Sequence, residues 1–246
     1  MKGVILAGGT GSRLAPLTNI TNKHLLPIYD RPMIYYPLAK MKELGVKSVL
    51  IVTGTGHAGN FLELLGSGKE FGMSFSYEVQ EQAGGIADAL SLARDFVGGE
   101  SFVVILGDNI FTDDLTGVVE EFKASGNLSH VFLTEVERPQ SYGVARFEGS
   151  DPGDPSGQIV EITEKPADPP SNYAVTGCYI YTPAVFEIID GLEPSARGEL
   201  EVTDINDHYV KQGKMGHTLL SGFWGDCGES IDQMLDVANT MRDLAR

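Results

Sequence analysis

The sequence predicts an α/β fold built on a mixed, mostly parallel sheet. Short β-branched runs bounded by glycine alternate with longer stretches of helical period, the signature of βα units around a buried sheet. The run Phe102 to Leu106, Phe-Val-Val-Ile-Leu, contains no polar residue, as expected of a strand covered on both faces. The chain has 246 residues, within the roughly 250–300 at which a single core stops growing. One domain over residues 1–246 is therefore expected.

In order, strands are expected at Gly3 to Ala7, Ser48 to Thr53, Ser74 to Val79 and Phe102 to Leu106. Helices fall between them: Pro32 to Leu44, whose proline suits a first turn, then Gly59 to Leu65 and Ile86 to Phe96. Asp113 and Asp114 read as caps of a following helix. After Leu128 the pattern turns mixed, with strands near Val131 to Val136, Val144 to Phe147, Ile159 to Thr163 and Ala174 to Thr182 adding antiparallel pieces. Ser150 to Gly157, Ser-Asp-Pro-Gly-Asp-Pro-Ser-Gly, is a turn-rich loop expected to project into solvent. Ile231, Met234, Leu235, Ala238, Met241 and Ala245 share one face of a last helix, which should pack on the body of the domain.

Composition excludes several functions. Lys plus Arg is 18 and Asp plus Glu is 34, a formal charge of −16 that repels nucleic-acid phosphates and anionic lipid. No nucleic-acid or membrane partner is expected. Cys178 and Cys227 are too few for a disulfide framework, so a reducing compartment, the cytoplasm, is expected. No apolar run is long enough to be a signal or a membrane span. His24, His57, His130, His208 and His217 have no metal-ligand spacing.

Gly8-Gly9-Thr10-Gly11-Ser12-Arg13 follows the first strand, where ligands bind in open α/β sheets. Its glycines let successive backbone N–H groups turn toward an anion, and Arg13 adds a planar cation suited to phosphate oxygens. A phosphate cradle is expected. Two commoner motifs fail. A dinucleotide fingerprint from Gly9 meets Leu14 in place of the third glycine and Pro16 where the helix should run, with only Asp30 near the ribose offset. A Walker loop from Gly3 meets Gly9 where lysine is needed.

LAGGTGSRLAPLT and NKHLLPIYDRPMIYYPL, followed by VQEQAGGIADAL, LGDNIF, SYGVARF, ITEKP, SNYAVTGCYIY, ARGELEVTDIN and FWGDCGE, carry a resemblance over nearly the whole chain. The sequence resembles the sugar-1-phosphate nucleotidylyltransferases, and among them the glucose-1-phosphate thymidylyltransferases. The resemblance implies a Rossmann-like three-layer α/β/α nucleotidyltransferase fold. It also implies a Mg²⁺-dependent reaction in which glucose 1-phosphate attacks the α-phosphorus of dTTP, giving dTDP-glucose and pyrophosphate. UTP or CTP as donor, and a non-catalytic sugar-nucleotide sensor, stay open, as does a homo-oligomer.

Positions follow from the matching blocks. Arg13 and Lys23 would serve the triphosphate, Lys165 and Arg197 the sugar phosphate, and Asp108 and Asp226 would hold magnesium. A lone Lys or Arg is ordinarily a solvated charge, and either aspartate alone would read as a cap or turn residue. Repulsion between the two anionic substrates, about 4 kcal/mol per unit-charge pair at 4 Å and an effective dielectric of 20, calls for such a cluster. Leu6, the loop residues Gly8 to Ser12, Gln80 and Gly85 would line the nucleoside and phosphates. Asn109, Gly143, Glu164, Val175 and Tyr179 would line the sugar side.

Departures from the family are visible. Its Gly-Leu-Ala-Gln-Ala is Gly85-Ile86-Ala87-Asp88-Ala89 here, so a polar contact near the nucleotide should differ. Cys227 stands where threonine is usual. The sequence ends at Arg246, without the carboxyl-terminal helical segment that longer members carry, so their regulatory second site is not implied.

Overall fold

The amino-terminal apolar run is the middle of the sheet. The computed structural model describes residues 1–149 and 151–246, so Ser150, the first residue of the expected loop, lies outside the described residues. In chain order the first half comprises β1 (Lys2–Ala7), a ribbon of β2 (Pro27–Ile28) and β3 (Arg31–Pro32), α1 (Tyr35–Glu43), β4 (Ser48–Gly54), α2 (Ala58–Leu65), β5 (Ser74–Gln80), α3 (Ile86–Ser91), α4 (Arg94–Val97) and β6 (Phe102–Leu106). The second half comprises β7 (Asn109–Phe111), α5 (Thr116–Ser125), β8 (Ser129–Glu135), β9 (Gly143–Phe147), β10 (Ile159–Glu164), β11 (Tyr173–Tyr181), α6 (Val185–Ile189), α7 (Val202–Lys211), β12 (Met215–Leu219), β13 (Trp224–Asp226) and α8 (Ile231–Leu244).

Among the described residues nine strands form one sheet. β5, β4, β1 and β6 are parallel neighbours in that order. β11 then runs antiparallel to β6 and carries β8 and β9, with β12 parallel to β8 and β10 antiparallel to β9. An irregularity in β11 between Val175 and Tyr179 lets one long strand serve several partners.

Alternation along β1 makes three layers. Ile5 and Ala7 pack with Leu38 and Met41 of α1, Phe61 of α2 and Phe122 of α5 on one face. Val4 and Leu6 pack with Leu90 of α3, Phe186 of α6 and Ile205 and Tyr209 of α7 on the other. Full burial of one such Ile or Leu stabilises by about 1.5–3 kcal/mol. A third cluster joins Leu14, Ile28, Met33, Ile110 and Cys227 to Met234 and Val237 of α8, pinning the first loop to the last helix.

Several expectations need correction. Pro32 does not open a helix, because it pairs with Pro27 in the β2–β3 ribbon; Pro37, in the first turn of α1, occupies the position that tolerates a missing N–H. The helix expected over Ile86 to Phe96 is two short ones, and Ser91 Oγ donates to the Asp88 carbonyl at the break (2.7 Å). Asp114 does accept the Thr116 N–H (2.9 Å), but Asp113 reaches across the chain to accept the N–H groups of Ser221 and Gly222. On α8, Leu235 is 52% exposed and Ala245 lies past the helix end; the buried seam is Met234 and Val237, flanked by Ala238 and Met241.

Candidate active site

From β1 the chain moves to β4 and β5 on one side, and then returns to place β6 on the other. At such a switch point the carboxyl ends of adjacent strands diverge and leave a crevice. Here it is an open cleft of about 430 Å³, a size that suits a small organic ligand. Every residue assigned to a substrate or metal from the sequence borders it: Leu6, Gly8, Gly9, Thr10, Gly11, Ser12, Arg13, Lys23, Gln80, Gly85, Asp108, Asn109, Gly143, Glu164, Lys165, Val175, Tyr179, Arg197 and Asp226.

Lys23 follows Asn22, which caps a single helical turn by accepting the His24 N–H (2.9 Å). The turn aims the Lys23 ammonium at the Asp108 carboxylate just beyond β6, and the two are hydrogen-bonded. Asp226 ends β13, which pairs with β7 so that Asp226 stands opposite Asn109. The three groups surround one point. A Cβ placed on Gly228 would stand 2.6 Å from Lys23 Nζ and 3.3 Å from Asp226 Oδ1, and would collide with Asp108 Oδ2. Any side chain there would have to displace these groups.

Burial disfavours charge on all three groups, and their mutual contacts decide the outcome. Burial lowers the Lys23 pKa, but Asp108 and Asp226 outweigh it and hold the ammonium above its ordinary value. Burial works to raise Asp108, yet Lys23 and His24 together pull it well below the usual carboxylate range. Asp226 is pushed up by burial and by the Asp108 charge. The second negative charge beside Asp108 is thus disfavoured at the shared point unless a further cation joins Lys23. A small divalent cation would answer it, and hard oxygen donors are what Mg²⁺ prefers. Among the described residues no cluster of three His, Cys, Asp or Glu side chains gathers to bind a metal alone, so the remaining ligands would have to be phosphate oxygens and water. The residues fit that group.

The other cations are held by carboxylates. Arg13 donates to Glu229 (2.6 Å). Arg197 donates to Glu201 (2.8 Å) and Glu164 (3.1 Å), and Lys165 lies 3.3 Å from Glu164. Lys165 has a left-handed backbone, φ 45°, held by its N–H donating to the Tyr142 carbonyl (2.9 Å). Glu164 also accepts from Thr203 Oγ1 (2.5 Å). Asn109 is tied into the wall: its amide donates to Asp108 Oδ1 (3.1 Å), and its oxygen accepts from Gly177 N and Trp224 Nε1, both at 2.8 Å.

At the end of β5, Gln80 Nε2 donates to the Gly85 carbonyl (3.1 Å) and to Asp88 Oδ2 (2.7 Å). Asp88, where the sequence departs from the family pattern, is therefore a hydrogen-bond partner of Gln80. Leu200 N donates to the Gly84 carbonyl (2.8 Å) and Ala87 N to the Leu200 carbonyl (3.2 Å), which clasps this turn to the acidic segment around Arg197.

Glu201, Thr203, Tyr142, Trp224 and Glu229 also line the cleft and were not singled out. All five lie within blocks already quoted. A carboxylate close in sequence to a candidate phosphate cation, as Glu201 is to Arg197, was the available signal. His24 is buried, with Nδ1 2.7 Å from Asn22 Oδ1 and its pKa pushed by burial and by Lys23 to about 3, so it is a neutral wall residue.

Comparison with known proteins identifies the family and agrees with the fold. The family model described as nucleotidyl transferase matches residues 2–243. A glucose-1-phosphate thymidylyltransferase of Actinoplanes sp. is 41% identical over 240 residues, covering 96% of this chain and 77% of the relative. A Bacillus anthracis crystal structure with sucrose, provisionally assigned as a glucose-1-phosphate thymidylyltransferase, is 49% identical and superposes with a TM-score of 0.92, covering 99% of this chain and 96% of the other. A UDP-glucose pyrophosphorylase complexed with UDP-glucose is 30% identical, with a TM-score of 0.85 and 99% and 98% coverage. With a switch-point cleft that gathers cations and paired aspartates, and a family match across nearly its whole length, the chain belongs to the nucleotidyl transferase family.

Proposed function

We propose that this protein joins dTTP to glucose 1-phosphate, releasing pyrophosphate and forming dTDP-glucose. The observation that carries the reading is convergence: Arg13, Lys23, Asp108, Lys165, Arg197 and Asp226, drawn from five distant segments, border one cleft. The names borne by its relatives in Actinoplanes and other bacteria supply the substrate pair.

The chemistry follows from charge. A phosphate oxygen of glucose 1-phosphate forms a bond to the α-phosphorus, and the bond to the β-phosphate oxygen breaks. The attacking group is already an anion, so no general base is needed. The protein contributes position and charge compensation. Arg13 and the backbone of Gly8 to Ser12 hold the β- and γ-phosphates, and Lys23 meets the α-phosphate. Lys165 and Arg197 hold the sugar phosphate, exchanging Glu164 for a substrate oxygen, while Glu164 turns to the hexose hydroxyls beside Gly143. Val175 and Tyr179 complete the sugar side and Leu6 the nucleoside side. Asp108 and Asp226 would hold Mg²⁺, which supplies charge neutralisation and alignment at the α-phosphate.

Binding of both substrates by one domain, residues 1–246, is part of the proposal. Among the described residues no helix is long and apolar enough to cross a membrane, and both cysteines are free and buried. The free cysteines support a reducing compartment, and we place the protein in the cytoplasm. The test is pyrophosphate release by the purified protein with Mg²⁺, each nucleoside triphosphate and glucose 1-phosphate. Release with dTTP is the expected result, and release with UTP alone would shift the donor. No release with any donor would overturn the reading.

A further inference from the structure

The Gln80 amide is held in one orientation. Its Nε2 lies between two acceptors, Asp88 Oδ2 at 2.7 Å and the Gly85 carbonyl at 3.1 Å. A flipped amide would set its oxygen against both, turning two hydrogen bonds into two repulsions. Both amide hydrogens are therefore spent inside the protein. Oε1 is left at the cleft, over the bare Cα of Gly8, where a Cβ would come within 2.8 Å of it. Among the described residues no donor satisfies that oxygen.

The surroundings are shaped to let Asp88 do this. Gly84 does not have a left-handed backbone, so torsion does not demand glycine there. A Cβ on Gly84 would instead stand 2.6 Å from Asp88 Cγ and 2.7 Å from Oδ2, so a side chain there would displace the Asp88 carboxylate. The first turn of α3 brings Asp88 back over Gln80, and Gly84 leaves the gap through which its carboxylate passes.

We propose that Asp88 is a positioning residue that sets Gln80 as a pure hydrogen-bond acceptor, so that the cleft selects a pyrimidine carrying an N–H at ring position 3. Thymine and uracil carry that hydrogen, whereas cytosine presents a lone pair there. Cytosine would face Oε1 acceptor to acceptor, and the amide cannot rotate to rescue it while Asp88 holds the nitrogen. The inference rests on the reading of this cleft as a nucleotide site, and it goes further by naming the residue that fixes the hydrogen-bonding sign of the base pocket.

The experiment is calorimetric titration of dTDP and of dCDP into the wild-type chain, Asp88→Ala and Asp88→Asn. One misplaced buried hydrogen bond corresponds to about tenfold to hundredfold in affinity, so the wild type should prefer dTDP by at least about tenfold. Asp88→Ala leaves only the longer bond to the Gly85 carbonyl, so it should shrink the preference by about threefold or more, chiefly by binding dCDP better. Asp88→Asn should retain most of it, because its carbonyl oxygen accepts from the same amide. The ratio is taken within each variant, so a partly unfolded preparation cannot mimic the result. Equal weakening of both nucleotides in Asp88→Ala would reduce Asp88 to a structural residue and overturn the proposal. A wild type that binds both equally would overturn it while leaving the transfer reaction intact. Binding of neither would overturn both.

Discussion

Lys23 and Asp108, 85 positions apart in sequence, close a buried ion pair that ties the first loop to the end of β6. Removing one partner of such a pair strands the other charge away from water, at a cost of about 3–5 kcal/mol. Asp226 stands close enough to Lys23 to share its charge, so the two losses are unequal. Asp108→Asn should destabilise less than Lys23→Met, which leaves two carboxylates facing each other. The double variant should lose about 1–3 kcal/mol less than the sum of the singles. Denaturant unfolding of the four proteins measures this coupling, and strict additivity would show that the pair is not energetically closed.

Gly228→Ala places a methyl at the point where Lys23, Asp108 and Asp226 meet. The expected result is a fall in turnover of about a hundredfold, comparable to losing one group that stabilises the transition state. More Mg²⁺ should also be needed for half-maximal rate. Pyrophosphate release against Mg²⁺ concentration reads both effects, and an unchanged Mg²⁺ dependence would place the metal elsewhere.

Arg13 and Lys165 should separate the two substrates. Lys165→Ala should raise KM for glucose 1-phosphate by about tenfold to hundredfold and leave KM for dTTP nearly unchanged; Arg13→Ala should do the reverse. The Arg13 side chain is 57% exposed against Glu229, so its loss should move stability by less than about 1 kcal/mol. Initial-rate kinetics and thermal melts test both statements. The opposite KM pattern would exchange the assigned phosphates.

His130 predicts a pH dependence away from the cleft. Burial, and then neighbouring His217, push its pKa from the usual 6.5 to about 4, and its Nε2 lies 2.9 Å from Thr218 Oγ1. Above pH 6.5 the ring is neutral in both folded and unfolded chains and costs nothing. As pH falls from 6.5 toward 4 the unfolded chain takes up the proton and the folded one does not, so stability declines, by at most about 3 kcal/mol for this group. His130→Gln should flatten that part of the stability profile. An unchanged slope between pH 6.5 and 4 would assign the decline to other groups.

The parallel half of the fold was legible because strands buried on both faces carry their signal in composition, as Phe102 to Leu106 does. The ribbon at Pro27 to Pro32 and the β7–β13 pair were not, since two- and three-residue strands leave no period to read. Leu235 shows a related limit: helical spacing names an apolar stripe but not which residue at its margin the body covers. At the site, residue identities and neighbourhood were legible from the matching blocks. The carboxylate partners of the cations were not, because Glu229 meets Arg13 across 216 positions, a distance only the folded sheet closes.

The backbone clasp at Leu200 has a mechanical consequence. Its N–H and C=O engage Gly84 and Ala87, while its neighbours Glu199 and Glu201 flank the guanidinium of Arg197. A phosphate that draws Arg197 away from these acids tugs on a strap fastened to the other half of the cleft. On the proposed assignment of the two substrates, filling the sugar-phosphate side would alter the turn that carries Gly85 and Asp88.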